Sequence, residues 1–175
     1  VPWRRGYLLY SAPGGGKDTL IRNLAIQYDL PIYAFDLSTY DNRSFVKDWK
    51  KVMQNAPAIA LFSDIDATFN LRENLAVKGK QRDGLTFDCL LDTLSGVGSS
   101  DGVLLFITTN RIETLDPALC QPRNGDSKST RPGRIDKAIH MGPMAERERR
   151  LLARHILDQF PDLIDGVVAA GEGEM

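Results

Sequence analysis

The chain has 175 residues, about the length of one ordinary domain. Hydrophobic residues make up 42% and charged residues 26%, values that exclude a disordered or collagen-like chain. With 22 Lys and Arg against 23 Asp and Glu, the formal charge of −1 gives no evidence for a nucleic-acid partner. No apolar run approaches the roughly 20 residues of a membrane-spanning helix.

The cysteines, Cys89 and Cys120, are too few for a disulfide scaffold or a cysteine zinc site. We therefore expect each to be a buried or half-buried thiol in a protein from a reducing compartment. The chain begins at Val1, and we interpret it as a piece of a longer protein, so its localisation is left unknown.

Apolar segments alternate with amphipathic ones along the chain. Residues 72–84 are predicted to be a polar loop, and the tail from residue 166 is predicted to be frayed. Strands are predicted at 6–10, 31–37, 58–62, 103–108 and 137–141, and helices at 19–28, 45–53, 87–94 and 145–160. This alternation, with strands that are apolar throughout, predicts an α/β fold whose five-stranded parallel sheet is flanked by helices on both faces.

Polar segments follow the first, third and fourth predicted strands, at residues 11–19, 63–66 and 108–111. The carboxyl ends of parallel strands lie at one edge of a sheet, which is where ligands bind in such folds. We therefore expect the functional site at this edge.

The first of these segments has the layout of a phosphate-binding loop. Glycines allow consecutive backbone N–H groups to surround an anion, the helix that follows adds its positive end, and a lysine reaches the outer phosphates. Two positions depart from the usual Gly-x-x-x-x-Gly-Lys-Ser/Thr pattern, because Ser11 replaces the first glycine and Asp18 replaces the hydroxyl residue. A strand–helix turn that binds nothing is the alternative. The predicted nucleotide-binding residues are Ala12, Pro13, Gly14, Gly15, Gly16, Lys17, Asp18 and Thr19.

Four stretches in order carry a family resemblance: RRGYLLY at 4–10 with the glycine loop, ALFSDIDA at 60–67, FITTN at 106–110 with LDPAL at 115–119, and RPGRID at 131–136. Together they resemble the AAA+ ATPase core, a P-loop NTPase. Within that family they are most similar to the branch of the mitochondrial chaperone that translocates the Rieske protein during assembly of respiratory complex III. The resemblance covers roughly residues 1–155 and implies the strand order 5-1-4-3-2.

The resemblance implies a role for each matching residue. Lys17 would contact the β- and γ-phosphates of ATP, and Asp64 would orient or activate the attacking water. Asn110 would hold that water or the γ-phosphate, whereas Asp66 would be more structural than catalytic. Alternatively, Asp64 and Asp66 only cap the strand end and Asn110 is only a turn residue.

The resemblance also implies that Arg131 and Arg134 reach the nucleotide of a neighbouring subunit, so that a homo-oligomeric ring of about six or seven subunits is the active unit. A solvated surface pair is the alternative for these arginines. The most similar family members are anchored in the mitochondrial inner membrane and act on a protein client.

The magnesium site departs from the family. The family normally supplies a hydroxyl at position 18 and a carboxylate at position 63, and here the two residue types are exchanged. In related folds the side chains at these two positions lie next to each other and share a hydrogen bond. We hypothesise that Asp18 and Ser63 are a compensated pair and that, with Asp64, they still hold Mg²⁺. The rival hypothesis is a degenerate ATPase, because Asp18 would repel the phosphates unless a metal offsets its charge.

Three further segments differ from the family pattern. Residues 120–130 are an insertion, predicted as a polar surface loop. Tyr40 and the loop 72–84, with Lys78, Lys80 and Arg82, are candidate pore-facing segments. Residues 1–144 are predicted to form the nucleotide-binding core and residues 145–175 the start of a helical lid that is mostly absent.

We therefore predict an ATP- and Mg²⁺-dependent ATPase domain that powers remodelling or translocation of a protein client. The alternative is a catalytically impaired nucleotide-binding ring or scaffold subunit. A P-loop kinase of small molecules and a DNA-directed ATPase are further alternatives, against which the arginine segment and the neutral charge respectively weigh.

Overall fold

A computed structural model describes residues 5–75, 84–95, 101–120, 122–123, 126–129 and 134–171. The chain divides into two compact units, Val1–Met141 and Gly142–Met175.

The first unit is built on a parallel sheet. Its five parallel strands are β1 (Arg5–Tyr10), β2 (Ile32–Phe35), β3 (Ala58–Phe62), β6 (Val103–Thr109) and β9 (Lys137–His140). They lie in the order β2-β3-β6-β1-β9, and each neighbouring pair is parallel. The predicted strand order and the predicted α/β class are therefore confirmed.

Two antiparallel hairpins lie where loops were predicted. The short strands β7 (Pro122–Arg123) and β8 (Asp126–Ser129) pair with each other, and β8 pairs with β9 at Lys128 and Lys137. The prediction that residues 120–130 form only a polar loop is wrong, because this segment extends the sheet beyond β9. Strands β4 (Phe69–Asn70) and β5 (Glu73–Asn74) form the other hairpin, at the start of the predicted loop 72–84.

Helices cover both faces of the sheet. The first unit contains α1 (Lys17–Tyr28), α2 (Asn42–Gln54), α3 (Ile65–Thr68) and α4 (Phe87–Ser95). The larger apolar cluster places α2 and α4 on one face, against alternate strand residues such as Leu8 and Ala60. The smaller cluster places α1 on the other face, against their neighbours Leu9 and Leu61. Because successive strand residues point to opposite faces, strands buried on both sides are apolar throughout, as β3 is.

The second unit contains α5 (Glu146–Ile156), a short 3₁₀ turn (Pro161–Leu163) and α6 (Ile164–Ala170). Two predictions are corrected here. The helix predicted over 145–160 ends at Ile156, where Leu157 caps it, and the tail predicted to be frayed from residue 166 is helical as far as Ala170. Pro161 explains the break, since proline fits the first position of a new helical turn but not a helix interior.

The predicted burial of the two cysteines is also confirmed. Cys120 is buried and Cys89 is half-buried. Among the described residues, no helix combines the length and apolar character needed to span a bilayer.

Candidate functional site

The three predicted polar segments meet at one edge of the sheet. β1 ends at Tyr10, directly opposite Thr109 at the end of β6, and Phe62 at the end of β3 is opposite Ile107 of the same strand. Each strand is followed directly by one of the polar segments. The segment after β1 begins at Ser11, the one after β3 at Ser63 and the one after β6 at Asn110. The topology therefore places these segments side by side, as expected from the sequence.

The glycine loop is open to a ligand at its turning points. Gly14 and Gly16 have φ values of +82° and +76°, a left-handed conformation that favours glycine, and a Cβ at either position would meet no atom within 4 Å. Gly16 is the N-cap of α1 and makes no side-chain cap. The first N–H groups of α1 thus have no intrahelical acceptor, and this positive end of the helix suits an anion.

Ser11 is packed inside this loop. Its side chain is 6% exposed, and its Oγ donates to the carbonyl oxygen of Ala12 at 2.8 Å. A Cβ on Gly15 would lie 2.2 Å from this Oγ, so position 15 has no room for a side chain while Ser11 is present. The sequence pattern marked Ser11 as a departure but not as the neighbour of Gly15.

The ammonium of Lys17 is held by several oxygens. Its Nζ donates to Oδ1 of Asn110 at 2.8 Å, and to Oγ and the carbonyl oxygen of Ser11 at 3.1 and 3.2 Å. The carbonyl oxygen of Ala12 lies at 3.4 Å. Lys17 is only 7% exposed, and a buried ammonium requires such partners.

Asn110 links Lys17 to Asp64. While its Oδ1 accepts from Lys17, its Nδ2 donates to Oδ1 of Asp64 at 3.0 Å. Asp64 itself is exposed, with a φ of +47°, and its backbone N–H donates to Oγ1 of Thr108. An exposed carboxylate hydrogen-bonded on one oxygen can accept from or orient a water molecule through its other lone pairs.

Asp66 accepts hydrogen bonds from the end of β6 and from the Asn110 backbone. Its Oδ1 accepts from Oγ1 of Thr109 at 2.8 Å and from the backbone N–H of Asn110 at 3.2 Å. This carboxylate therefore fixes the strand end that carries Asn110, and both hydrogen bonds are internal to the protein.

The predicted metal residues lie at the same edge. Asp18 is in the first turn of α1, while Ser63 and Asp64 line a cavity of about 330 Å³ together with Asp36 and Ser38. Within the described part of the chain, no hydrogen bond joins Asp18 to Ser63, and no three His, Cys, Asp or Glu side chains cluster as a metal site. Such a sparse donor set fits Mg²⁺, which takes one or two carboxylates and completes its shell with phosphate oxygens and water.

The predicted arginines are not brought to this group. Arg131 lies outside the described residues. Arg134 is half-buried, and its guanidinium donates to Oγ of Ser95 and, at 3.0 Å, to the carbonyl oxygen of Ala118. Both acceptors belong to its own chain.

The candidate pore-facing residues have different outcomes. Tyr40 packs against Phe35 and Phe45 and donates to Oδ2 of Asp48 at 3.3 Å, so its ring covers the core and does not project freely. Burial, and then the Asp48 carboxylate, raise the pKa of Tyr40. Lys78, Lys80 and Arg82 lie outside the described residues.

A second cavity, of about 740 Å³, contains none of the predicted site residues. Its wall includes Asp41, Arg43, Arg72 and Asp88. Arg72 donates to Asp116 at 2.9 Å and also approaches Asp88, and these carboxylates raise its pKa.

A parallel sheet in this strand order, with a glycine loop, a buried lysine and an acidic strand end on one edge, defines a P-loop nucleotide-binding domain. Residues 7–142 match the family described as "ATPase family associated with various cellular activities (AAA)". The chain belongs to this family and is an AAA ATPase domain.

Relatives identify the branch. The chain is 34% identical over 168 residues to the probable mitochondrial chaperone bcs1 of Schizosaccharomyces pombe, covering 94% of this chain and 34% of the relative. It is 38% identical to the probable mitochondrial chaperone BCS1-A of Dictyostelium discoideum, over 89% of this chain and 35% of the relative. It is 40% identical to the mitochondrial chaperone BCS1 of Danio rerio, over 81% and 32%. The resemblance to this branch is confirmed, and the chain spans about a third of the length of these relatives.

Proposed function

We propose that this domain binds and hydrolyses Mg-ATP and thereby powers remodelling or translocation of a protein client in a homo-oligomeric ring of about six or seven subunits. The observation that carries the proposal is the hydrogen-bonded chain from Lys17 through Asn110 to Asp64, at the mouth of an open glycine loop. It joins a phosphate-binding cation to a carboxylate that can act on water.

Each of these residues has a proposed role. The backbone N–H groups of residues 12–19 surround the phosphates, and the Lys17 ammonium exchanges its protein acceptors for β- and γ-phosphate oxygens. Asp64 orients the attacking water and accepts its hydrogen bond, while Asn110 holds the same water or the γ-phosphate. Asp18, Ser63 and Asp64 would hold Mg²⁺, which supplies neutralisation of the phosphate charge.

Arg131 is proposed to reach the nucleotide of the neighbouring subunit. A finger of this kind stabilises charge on the transferring phosphoryl group and is worth about 10³–10⁵ in rate. Residues 145–175 are proposed to begin the helical lid. The relatives are named as mitochondrial chaperones, which supports a mitochondrial location for the protein.

A catalytically impaired nucleotide-binding subunit is the second candidate. The observation that favours it is Asp18, a carboxylate in the first turn of α1 that is not hydrogen-bonded to Ser63 among the described residues. In that case nucleotide binding alone would switch the assembly.

The test is steady-state ATP turnover by the full-length assembled protein with Mg²⁺, beside Lys17→Ala and Arg131→Ala variants. We expect turnover in the wild type and its loss in each variant. Mixed assemblies of the two variants should regain activity, because each Lys17→Ala subunit offers an intact finger to the site of an Arg131→Ala neighbour. A wild-type ring that binds ATP without turnover would favour the impaired subunit.

A further inference from the structure

We infer that Ser11 is a positioning residue of the ATPase reaction, whose hydroxyl and carbonyl oxygens together hold one N–H group of Lys17 while the other two turn to the nucleotide. This inference rests on the proposed ATPase function, which it deepens. It concerns a position where the usual phosphate loop has glycine, which offers a carbonyl oxygen but no hydroxyl.

The Lys17 ammonium has three N–H groups, and oxygens of three residues face it. Oδ1 of Asn110 lies at 2.8 Å, Oγ and the carbonyl oxygen of Ser11 at 3.1 and 3.2 Å, and the carbonyl oxygen of Ala12 at 3.4 Å. Because four oxygens compete for three N–H groups, one N–H group is shared. The two oxygens of Ser11, which lie at nearly equal distances, are the pair that shares it.

The Ser11 hydroxyl is fixed in this position. It donates its proton to the carbonyl oxygen of Ala12 at 2.8 Å, which leaves its lone pairs for Lys17. It also occupies the space beside Gly15, where an added Cβ would lie 2.2 Å from Oγ. The Ser11 side chain is buried within its own loop, so it keeps these partners in an assembly as well.

Nucleotide binding replaces two of the three contacts of Lys17. The β- and γ-phosphate oxygens take two N–H groups. Asn110 has to be released, since its proposed role is to hold the attacking water or the γ-phosphate. Of the two residues that remain, Ala12 makes the longest contact and Ser11 offers two oxygens. Ser11 therefore keeps the third N–H group in the filled loop.

A contact that is present in both the empty and the filled loop contributes little to nucleotide affinity, because it cancels between the two states. It still sets the direction in which the ammonium points. That direction matters most in the transition state, when charge develops on the transferring phosphoryl group. Loss of the hydroxyl should therefore lower kcat and leave the Kd of the nucleotide almost unchanged.

The experiment compares Ser11→Ala with the wild type in the full-length assembled protein. We expect kcat to fall about three- to tenfold, the effect of one modest hydrogen bond on alignment. The Kd of a non-hydrolysable ATP analogue with Mg²⁺, measured by titration calorimetry, should change by less than about twofold. Ser11→Gly removes the same hydroxyl and should behave alike.

Asn55→Ala is the matched control. Like Ser11→Ala, it removes a side-chain donor from a backbone carbonyl oxygen, in this case that of Lys51 at 2.8 Å. Asn55 precedes the start of β3, whereas the site lies beyond the end of this strand. We expect neither kcat nor Kd to change in this variant.

Two changes in Kd would overturn the inference. Tighter binding by Ser11→Ala would mean that the hydroxyl holds Lys17 only in the empty loop. Weaker binding, by as large a factor as the loss in kcat, would mean that Ser11 only shapes the loop. An unchanged kcat would overturn the inference as well.

A second measurement needs no turnover. In the nucleotide-free full-length protein, Ser11→Ala should lower Tm, and it should lower Tm less in a Lys17→Met background, where the hydroxyl has no ammonium to hold. Equal losses in the two backgrounds would contradict the contact. A wild type without turnover would refute the proposed function, and this coupling would still decide whether Ser11 holds Lys17.

Discussion

Ser11 and Gly15 show how one residue sets what another can be. Ser11 occupies the position where the usual phosphate loop has its first glycine, and its Oγ lies on the path that a Cβ at position 15 would take. No positive φ restricts position 15, so glycine is required there by space and not by backbone conformation.

This contact predicts a compensating pair of substitutions. Gly15→Ala should weaken nucleotide binding about tenfold, because a methyl group 2.2 Å from Oγ forces the loop to shift, and overpacking typically costs about 1–3 kcal/mol. Adding Ser11→Gly should restore most of the affinity, as measured by titration calorimetry. If the double variant binds no better than Gly15→Ala, the clash is not what limits position 15.

Asp66 is predicted to act through stability. Asp66→Ala would leave the Thr109 hydroxyl and the Asn110 N–H without their acceptor, at a cost of about 1–3 kcal/mol in the free energy of unfolding. Urea denaturation measures this cost. Asp66→Asn keeps an oxygen acceptor and should cost clearly less; equal losses in the two variants would contradict the hydrogen-bonding role.

Sequence and structure agree unevenly at this scale. Glycine, lysine and acid spacing indicated Lys17, Asp64 and Asn110, and the topology brings their segments to one edge, although their roles stay predictions. The partners of Ser11 and Arg134 could not be predicted, because both contacts depend on which side chains meet across separate elements. The sequence shows that position 11 is a serine and that position 134 is an arginine, but it does not show which atoms accept their hydrogen bonds.

Among the elements, α2 has the most complete local signals. Its N-cap Asp41 accepts from the Ser44 N–H at 2.7 Å, and the Asp41 N–H donates to Oγ of Ser44 at 3.1 Å. The Ser44 hydroxyl also donates to the Asp41 carbonyl oxygen. Inside the molecule, Phe45 and Trp49 join a cluster of aromatic rings with Phe62. Cap and buried face together explain why this helix begins and packs as it does.

The cap predicts a pH dependence. The hydrogen bond from the Ser44 backbone lowers the pKa of Asp41 below its ordinary value of 3.8. Because the folded pKa is below the unfolded one, this stabilisation is complete above pH 3.8 and disappears as pH falls through the folded value. The urea midpoint of Asp41→Ala should therefore fall below that of the wild type at neutral pH and converge with it in acid. Asp41→Asn, which caps without a charge, should show a difference that varies less with pH.

Elements with strong periodicity or continuous apolar runs were predictable, and short ones were not. The five parallel strands and α1, α2 and α4 follow from side-chain pattern alone. The β7–β8 hairpin forms because β9 offers a free sheet edge, which is a long-range property of the backbone. α6 was missed because Gly166 lowers helix propensity, yet packing between α5 and α6 outweighs it.

At the scale of the whole first unit, groups of opposite charge lie together at one edge of the sheet. The loop supplies N–H dipoles and one ammonium, whereas Asp18 and Asp64 are carboxylates at the same edge. Two unit charges about 4 Å apart interact by roughly 4 kcal/mol at an effective dielectric of 20, so an added polyphosphate needs a cation to offset Asp18.

Nucleotide binding should therefore depend on Mg²⁺. With Mg-ATP at about a hundred times its Kd, linkage stabilises the folded protein by about 2.7 kcal/mol, and Tm should rise accordingly. ATP with a chelator should give little or no rise. Asp18→Asn removes the repelling charge and should recover a rise without the metal. If ATP raises the Tm of the wild type equally with and without Mg²⁺, the Asp18 carboxylate does not make nucleotide binding depend on the metal.

The unequal apolar clusters on the two faces of the sheet have a consequence for local opening. In the described residues α1 contributes Ile21 and Ala25 to the smaller cluster, whereas α2 and α4 share the larger one. Amide hydrogens of α1 should exchange with solvent sooner than those of α2, since a helix with little buried surface opens at lower free energy. The N-terminal end of α1 closes the phosphate loop, so a bound nucleotide should slow exchange along α1. The face of the sheet that carries the smaller apolar cluster would then be the part of the domain whose local stability changes most when nucleotide binds.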